Sequence, residues 1–163
     1  MSHHLAQINI ALARAPLDSE VMRDFTNAIA EMNALAEASQ GFVWRFKEEN
    51  GNATSVRAFP DPRMIVNLSV WRDVAALKDY AFRSMHGRFF ARRAEWFEPM
   101  ATPHLALWWI PAGTLPTLDD AKARLQLLHE RGETAEAFTF RSPFPAPSQD
   151  LSSNSSTSRN PSS

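Results

Sequence analysis

Alternating apolar and polar positions predict that the fold begins with a β-strand. The alternation runs from His4 to Leu12, and successive side chains of a strand point to opposite faces of a sheet. The two predicted faces carry Leu5, Gln7 and Asn9 on one side and Ala6, Ile8 and Ile10 on the other. Runs rich in β-forming residues predict further strands at residues 42–47, 64–71 and 105–110, and a last short strand at residues 137–141.

Apolar residues at helical spacing predict helices between these strands. The first helix is expected from Glu20 to Ala38, with an apolar stripe that consists of Val21, Phe25, Ile29, Met32 and Leu35. Further helices are predicted at residues 73–83, in the segment that ends near Phe97, and from Thr117 to Arg131. The order β-α-β-β-α-β, followed by α and β, is ferredoxin-like. The sequence therefore predicts an α+β fold with an antiparallel sheet, helices on one face and a C-terminal α-β extension.

The aromatic residues of the predicted strands indicate a dimer. One layer of helices cannot cover all of them, and a monomer would expose a larger apolar patch than soluble monomers usually carry. A second copy of the chain is the simplest cover for the other face of the sheet. We therefore expect a homodimer with two-fold symmetry, built through that face.

Composition and charge narrow the function classes. The 163 residues include 17 Lys and Arg against 18 Asp and Glu, so we expect neither nucleic acid nor a membrane as a partner. The chain contains no Cys, which excludes disulfides, thiolate nucleophiles and iron–sulfur clusters. There is no run of about 20 apolar residues of the kind that spans a bilayer, and the N-terminus lacks the pattern of a signal peptide. These features predict a cytoplasmic protein.

The composition changes abruptly after Pro147. Residues 148–163 are mostly Ser, Asn, Thr and Pro, and Leu151 is their only large aliphatic residue. Such a segment cannot bury enough apolar surface to offset the entropy lost on ordering. We therefore expect one folded domain over residues 1–147 and a disordered, Ser-rich tail over residues 148–163.

Several segments carry a resemblance to a known family. The most specific are WWIPAG and FTFRSPFPAP, and they are joined by HLAQINIALARAPLDS near the start and SVWRDVAALKDYAFRSMHGRFFARRAEWFE in the middle of the chain. Over residues 4–147 the sequence resembles the family catalogued as domain of unknown function 3291. It also resembles the wider dimeric α/β-barrel superfamily, which includes antibiotic-biosynthesis monooxygenases, haem-degrading monooxygenases and muconolactone isomerases. The resemblance implies two ferredoxin-like sheets packed face to face, with a pocket between each sheet and its helices.

The stretch from His86 to Phe97 supplies the candidate catalytic residues. On a helix, six of its side chains share one face, namely His86, Phe89, Phe90, Arg93, Trp96 and Phe97. Buried polar groups need partners, so we expect His86 and Arg93 at a pocket or an interface. His86 is the candidate general base, and Arg93 is the candidate for bidentate binding of a carboxylate or phenolate. The alternative is a structural His and an Arg–Glu pair.

Polar residues within the strands supply candidate substrate-binding residues. If the polar positions face the helices, Asn9 and Asn67 converge with His86 in one cavity, lined by Trp44 and Trp108. Such a cavity, to which Tyr80, Phe89, Phe90 and Trp96 would also contribute, suits a flat aromatic or polyketide-like ligand. The alternative is that the two amides face solvent or lie in the sheet of the dimer.

The resemblance also raises haem as a minor alternative. Haem-degrading members of the superfamily use an Asn on the first strand, a Trp on the helix after the third strand and a later His. Asn9 occupies the first of these positions, but Tyr80 stands in the place of the Trp and Phe90 lies nearer the place of the His. No metal-binding motif is present in the sequence, and we expect no cofactor.

Two functions of different classes remain open from the sequence. One is a cofactor-independent monooxygenase, isomerase or cyclase, in which a base removes a proton from an activated phenol or enol and the pocket holds the resulting anion. The other is a ligand-binding or stress-response barrel protein without turnover. Both bind a small, largely apolar molecule.

Overall fold

A computed structural model describes residues 2–47, 61, 63–84 and 92–147 of the chain. This part contains five strands and four helices. In chain order they are β1 (His3–Ala13), α1 (Arg23–Ala38), β2 (Phe42–Arg45), β3 (Met64–Trp71), α2 (Val74–Ser84), α3 (Arg93–Trp96), β4 (Phe97–Glu98), β5 (Leu105–Pro111) and α4 (Leu118–Arg131). The predicted tail at residues 148–163 lies outside the described residues. No described helix is both long enough and apolar enough to cross a membrane.

The sheet is antiparallel and is built around β1. Strand β3 pairs with residues 5–12 of β1, and β2 pairs with β3. Strand β5 pairs with residues 3–9 of β1, and the short β4 pairs with Leu12 and Ala13. The spatial order is therefore β2-β3-β1, with β5 and β4 along the remaining edge of β1. The predicted mixed α/β composition and the antiparallel sheet are confirmed.

Each face of the sheet packs against its own helices. Helices α1 and α2 cover one face, where the buried residues are Leu5, Ala36, Trp71, Ala76, Leu77, Leu107 and Phe138. Helix α4 packs on the opposite face, where it buries Ala121, Leu125 and Leu128. The prediction that all helices lie on one face of the sheet was wrong. The three buried residues of α4 form an apolar stripe at spacings of four and three, and this stripe is buried against the second face.

Local signals set both ends of α4. The Thr117 hydroxyl accepts a hydrogen bond from the backbone N–H of Asp120, and the Asp120 carboxylate accepts one from the backbone N–H of Thr117. This reciprocal pair is a capping box. At the other end Gly132 has a φ of 73°, a backbone conformation that glycine adopts at little cost. The start and the end predicted for this helix are both confirmed.

Several predicted boundaries were wrong, and β2 ends at Arg45 rather than at residue 47. Helix α1 begins at Arg23 rather than Glu20, and Val21 lies outside it with 60% of its surface exposed. Phe97 belongs to β4 and not to the preceding helix, because it pairs with Ala13. The last predicted strand is reduced to a single bridge between Phe138 and Leu107.

The reason for this shortened strand lies in the residues that flank the bridge. Thr134 and Ala137 exchange two backbone hydrogen bonds, so the chain turns tightly just before Phe138. The next backbone N–H, that of Thr139, donates to the carboxylate of Glu133 at 2.9 Å. After the bridge the chain turns again, because the backbone N–H of Ser142 donates to the backbone oxygen of Thr139 at 3.3 Å, and the pairing with β5 ends at Phe138.

Candidate functional site

A row of four polar residues crosses the sheet face that α1 and α2 cover. It consists of Gln7 and Asn9 on β1 and of Asn67 and Ser69 on β3, and we call it the polar row. Gln7 lies opposite Ser69 and Asn9 lies opposite Asn67. Gln7 and Ser69 are each only 5% exposed, whereas both asparagines are exposed. The predicted alternation placed each pair on one face of its own strand correctly, and the strand register brings the two pairs together.

A chain of hydrogen bonds fixes the buried part of the polar row. The Nε2 atom of Gln7 donates to Oδ1 of Asn67 at 2.6 Å and to Oγ of Ser69 at 2.8 Å. The indole Nε1–H of Trp71 donates to the same Ser69 oxygen at 2.9 Å. Because buried polar groups need partners, the Ser69 hydroxyl satisfies two buried donors at once. Gln7, Asn67 and Ser69 are therefore held in one arrangement by their own bonds.

The polar row lies between two apolar clusters in the same layer. At the Leu5 end, the indole of Trp71 stacks on the ring of Tyr80 with a centroid distance of 5.0 Å and an angle of 24°. At the Ala13 end, Phe25 packs against Trp96 with their ring centroids 5.6 Å apart. A strand rises about 3.3 Å per residue, so about 13 Å of β1 separates Asn9 from each of these ends.

Tyr80, a predicted binding residue, connects the two helices of this layer. Its hydroxyl donates to the backbone oxygen of Met32 in the middle of α1, at 3.2 Å. Its ring is half-buried against Trp71. Tyr80 thus joins α2, α1 and β3 at one end of the polar row, and it is only partly buried.

At the Ala13 end, Arg92 borders the aromatic cluster of Phe25 and Trp96. The guanidinium of Arg92 lies 4.8 Å from the ring centre of Trp96, and it donates to the carboxylates of Asp24 and Glu95 at 2.7 Å and 3.1 Å. The hydrogen bond to Asp24, more than that to Glu95, raises the pKa of Arg92 above its ordinary value. Arg93 begins α3 and is exposed. Trp96, which was predicted to contribute to the substrate-binding cavity, is buried.

The two other predicted tryptophans lie on the opposite face of the sheet. Trp44 pairs with Val70, and Trp108 pairs with Ala6; both belong to the cluster beneath α4. They therefore cannot line one cavity with Asn9 and Asn67. Side chains alternate along a strand, so the register across β1 and β5, which the sequence does not reveal, decides this outcome.

Four residues on the face of the polar row were missed as candidates, and Gln7 on β1 is the first of them. Ser69 and Trp71 share the face of Asn67, and Trp109 lies opposite Leu5. The indole Nε1–H of Trp109 donates to the backbone oxygen of Phe144 at 2.9 Å, which fastens the C-terminal segment to the sheet. For Ser69 and Trp71 the available signal was the same alternation that selected Asn67.

The predicted base, His86, and the predicted pocket residues Phe89 and Phe90 lie outside the described residues. Within the described part of the polar row the side chains are neutral amides and a hydroxyl. The part of the chain that the structure describes contains no group of three or more His, Cys, Asp or Glu residues that would hold a metal ion. The described site offers hydrogen bonds to a ligand, and it offers aromatic surface on either side.

A concave surface follows the edge strand β2. It is an open groove of about 570 Å³, lined by Glu37, Phe42, Val43, Trp44, Arg45, Phe46 and Lys47. The carboxylate of Glu37 lies 2.7 Å from Nε of Arg45 and 3.4 Å from Nζ of Lys47. The hydrogen bond from Arg45 is the main cause that lowers the pKa of Glu37 below its ordinary value. Because its charges are already paired, this groove is a poorer candidate than the polar row.

The fold and the polar row thus define a mixed α/β domain with a five-stranded antiparallel sheet and a polar site on the sheet face that carries α1 and α2. The family described as a domain of unknown function (DUF3291) matches residues 4–154, and the chain belongs to this family. The resemblance to this family, expected over residues 4–147, is confirmed, and the match continues to residue 154.

No curated protein matches the sequence. Two solved structures are similar to the chain. PA3566 from Pseudomonas aeruginosa is 17% identical, with a TM-score of 0.44, over 70% of this chain and 98% of its own. NE2512, a protein of unknown function from Nitrosomonas europaea, is 19% identical, with a TM-score of 0.45, over 71% of this chain and 96% of its own.

Proposed function

We propose that the protein binds a small, flat, largely apolar molecule against the polar row. The observation that carries this proposal is the buried amide of Gln7, which is held at 2.6 Å by Asn67 and at 2.8 Å by Ser69 on a core-facing sheet surface. Apolar residues would fill such a surface more favourably, because burying an amide costs free energy unless every bond is made. A polar row maintained there is typical of a binding site with a few convergent polar groups.

The surroundings of the row indicate the shape and charge of the ligand. Aromatic rings flank the row at both ends, where Tyr80 stacks on Trp71 and Phe25 packs on Trp96. Flat rings favour flat partners through offset stacking. The four side chains of the row are uncharged, so they suit a neutral molecule or a delocalised anion better than a compact charged group.

We further propose that the domain is ferredoxin-like and assembles as a dimeric α/β barrel. The order of the strands and the position of α1 and α2 on one face support the ferredoxin-like assignment. On the other face, α4 covers part of the sheet, and Trp44, Phe46 and Met64 are half-buried beyond its buried stripe. A second copy of the chain would bury them further. Light scattering should then give twice the chain mass of 18.3 kDa, and a stable monomer would contradict the dimer.

We propose that, if the protein is an enzyme, His86 removes a proton from the bound phenol or enol. The described polar row can donate hydrogen bonds to a phenolate or enolate, but amides do not accept a proton at neutral pH. A base must come from elsewhere, and His86 is the residue that the sequence offers. Without such a base, the same site binds its ligand and releases it unchanged.

Three tricyclic molecules of the same outline test binding. The molecules are 9-fluorenone, fluorene and carbazole, and calorimetric titration of the full chain measures the affinity for each. If the ligand lies against the row, Asn9→Trp should fill the space and weaken every bound probe by about tenfold or more. Gln126→Trp, on the exposed side of α4, is the matched control and should leave affinity unchanged. Failure of all three probes to bind, or equal binding by both variants, would reject the site.

Oxygen uptake separates the enzyme from the binding protein. Anthrone is a suitable probe because its enol form is an activated phenol. Its conversion to anthraquinone consumes one O2 and releases one water, so that no further reductant is needed. Uptake that requires the protein and disappears in His86→Ala supports catalysis. Binding of the tricyclic probes without uptake above the uncatalysed rate supports the non-catalytic alternative for this type of substrate.

A further inference from the structure

We infer that the site selects ligands that present a hydrogen-bond acceptor oxygen to the Nδ2 atom of Asn67. The inference rests on the proposed function and specifies the chemistry of the ligand. Its basis is the orientation of two amide groups, those of Gln7 and Asn67, which the hydrogen bonds of the polar row determine.

The orientation of the Gln7 amide follows from the atoms that surround its nitrogen. Nε2 of Gln7 faces Oγ of Ser69 at 2.8 Å, Oδ1 of Asn67 at 2.6 Å and the backbone oxygen of Asn67 at 3.4 Å. A backbone carbonyl oxygen only accepts hydrogen bonds. Turning the Gln7 amide over would place its oxygen against this carbonyl oxygen, which is repulsive. The nitrogen of Gln7 therefore occupies this position.

The orientation of Gln7 fixes that of Asn67. Since Nε2 of Gln7 donates, the atom of Asn67 that it reaches must be the acceptor, Oδ1. The other arm of the Asn67 amide is then the donor Nδ2. Asn67 is exposed, and the hydrogen bonds of the described residues use only its Oδ1 and backbone oxygen as acceptors from side chains. The site thus presents an N–H donor to a ligand at this position.

Ser69 holds the arrangement from its buried end and is a positioning residue. Its hydroxyl oxygen accepts from Gln7 and also from the indole of Trp71, at 2.8 Å and 2.9 Å. Two lone pairs of the hydroxyl are therefore occupied by buried donors. Because Trp71 is almost completely buried, its indole holds the Ser69 hydroxyl in place beside Gln7, while the backbone oxygen of Asn67 sets the direction of the Gln7 amide.

An N–H donor between aromatic clusters defines a class of ligand. A ketone, quinone or phenolate oxygen complements Nδ2 of Asn67, and the flat ring that carries the oxygen extends toward the stacked pair of Trp71 and Tyr80. An aromatic N–H of the same outline would meet another N–H and leave two donors without partners. Sites that bind a ligand through a specific hydrogen bond discriminate strongly against analogues that cannot make it.

The three tricyclic probes differ only in the group at one position of the central five-membered ring. Fluorenone carries an acceptor oxygen, carbazole carries an N–H donor, and fluorene carries a CH2 group. We expect the full chain to bind fluorenone about tenfold more tightly than carbazole. Asn67→Asp replaces the donor by an oxygen of the same shape, so it should weaken fluorenone by about tenfold and leave fluorene within about twofold.

A second variant guards against misfolding of the first. Asn67→Leu keeps the size of the side chain and removes its polarity, and it should bind fluorenone no more tightly than fluorene. Circular dichroism and a thermal melt establish that each variant is folded. Equal binding of fluorenone and carbazole by the unmodified chain, or an unchanged preference in both folded variants, would overturn this inference while the proposed function stands. Failure of all three probes to bind rejects both.

Discussion

The indole of Trp71 stacks on the phenol ring of Tyr80, with the ring centroids 5.0 Å apart and 24° between the planes. This contact connects β3 to α2, and the Tyr80 hydroxyl extends the connection to Met32 of α1. The same indole donates to Ser69 within the polar row. One aromatic pair therefore links the packing of the helices to the orientation of the polar groups in the site.

Two substitutions at Tyr80 separate the ring from its hydroxyl. Tyr80→Phe keeps the stack and removes the hydrogen bond to Met32, so it should lower the free energy of unfolding by about 1 kcal/mol. Tyr80→Ala also removes the ring from the core and should cost about 2–4 kcal/mol. Urea unfolding measures both values. Equal losses in the two variants would mean that the stacked ring contributes little.

Ser69→Ala should destabilise the fold although it removes a single oxygen atom. That oxygen accepts from the buried side chains of Gln7 and Trp71, and each donor left without a partner costs about 1–3 kcal/mol. We expect a loss of about 2–4 kcal/mol in urea unfolding. Ser142→Ala, at an exposed position, is the control and should change stability by less than about 0.5 kcal/mol. A similar small effect at both positions would contradict the role of Ser69.

Two glycines with similar backbone angles allow strain and crowding to be measured separately. Gly41 has a φ of 87° and Gly113 a φ of 93°. A Cβ at Gly41 would lie 2.5 Å from the Cβ of Ala76, whereas a Cβ at Gly113 would meet nothing within 4 Å. Gly113→Ala should cost about 1–2 kcal/mol from backbone strain alone. Gly41→Ala should cost about 1–3 kcal/mol more, because α2 must move away from β2. Thermal melts of the two variants test this order.

The cap of α4 gives a prediction from local geometry alone. Thr117→Ala removes the oxygen that accepts from the N–H of Asp120 and should cost about 1 kcal/mol. Thr117→Ser keeps that oxygen and should stay within about 0.5 kcal/mol of the unmodified protein. The measurement is the midpoint of urea unfolding. Since Leu125 and Leu128 of this helix are buried against the sheet, the loss should appear in the global transition.

The pH dependence of Glu37 follows from its partners. The hydrogen bond from Arg45 is the first cause that lowers its pKa, and Lys47 contributes less. A lowered pKa in the folded state stabilises the protein above the ordinary titration range of Glu, and this contribution is lost as the pH falls through the folded-state pKa. Arg45→Met should raise the pKa of Glu37 toward its ordinary value, and Lys47→Met should raise it less. A carboxyl titration followed by NMR gives both values. A larger shift in the Lys47 variant would contradict the assigned cause.

The local features of the fold could be predicted from the sequence because they depend on neighbouring residues. The alternation along β1 places Gln7 and Asn9 on one face, whichever strands pair with it. Thr117 and Gly132 set the ends of α4 through bonds within a few residues of each other. Helix α1 was less well predicted, since its start at Arg23 follows a turn and has no side-chain cap.

The tertiary structure alone decided how these faces combine. Gln7 and Ser69 are 62 residues apart in the chain, and only the register of β1 with β3 places them opposite each other. Neighbouring residues of a strand point to opposite faces, so Trp108 lies beneath α4 and Trp109 lies on the side of the polar row. A register shifted by one residue would exchange the two faces. Helix α4 takes the second face because its apolar stripe must be buried somewhere, and the choice of face depends on packing between distant segments. The sequence by itself thus determined which residues could share a surface, and long-range pairing determined which surfaces meet.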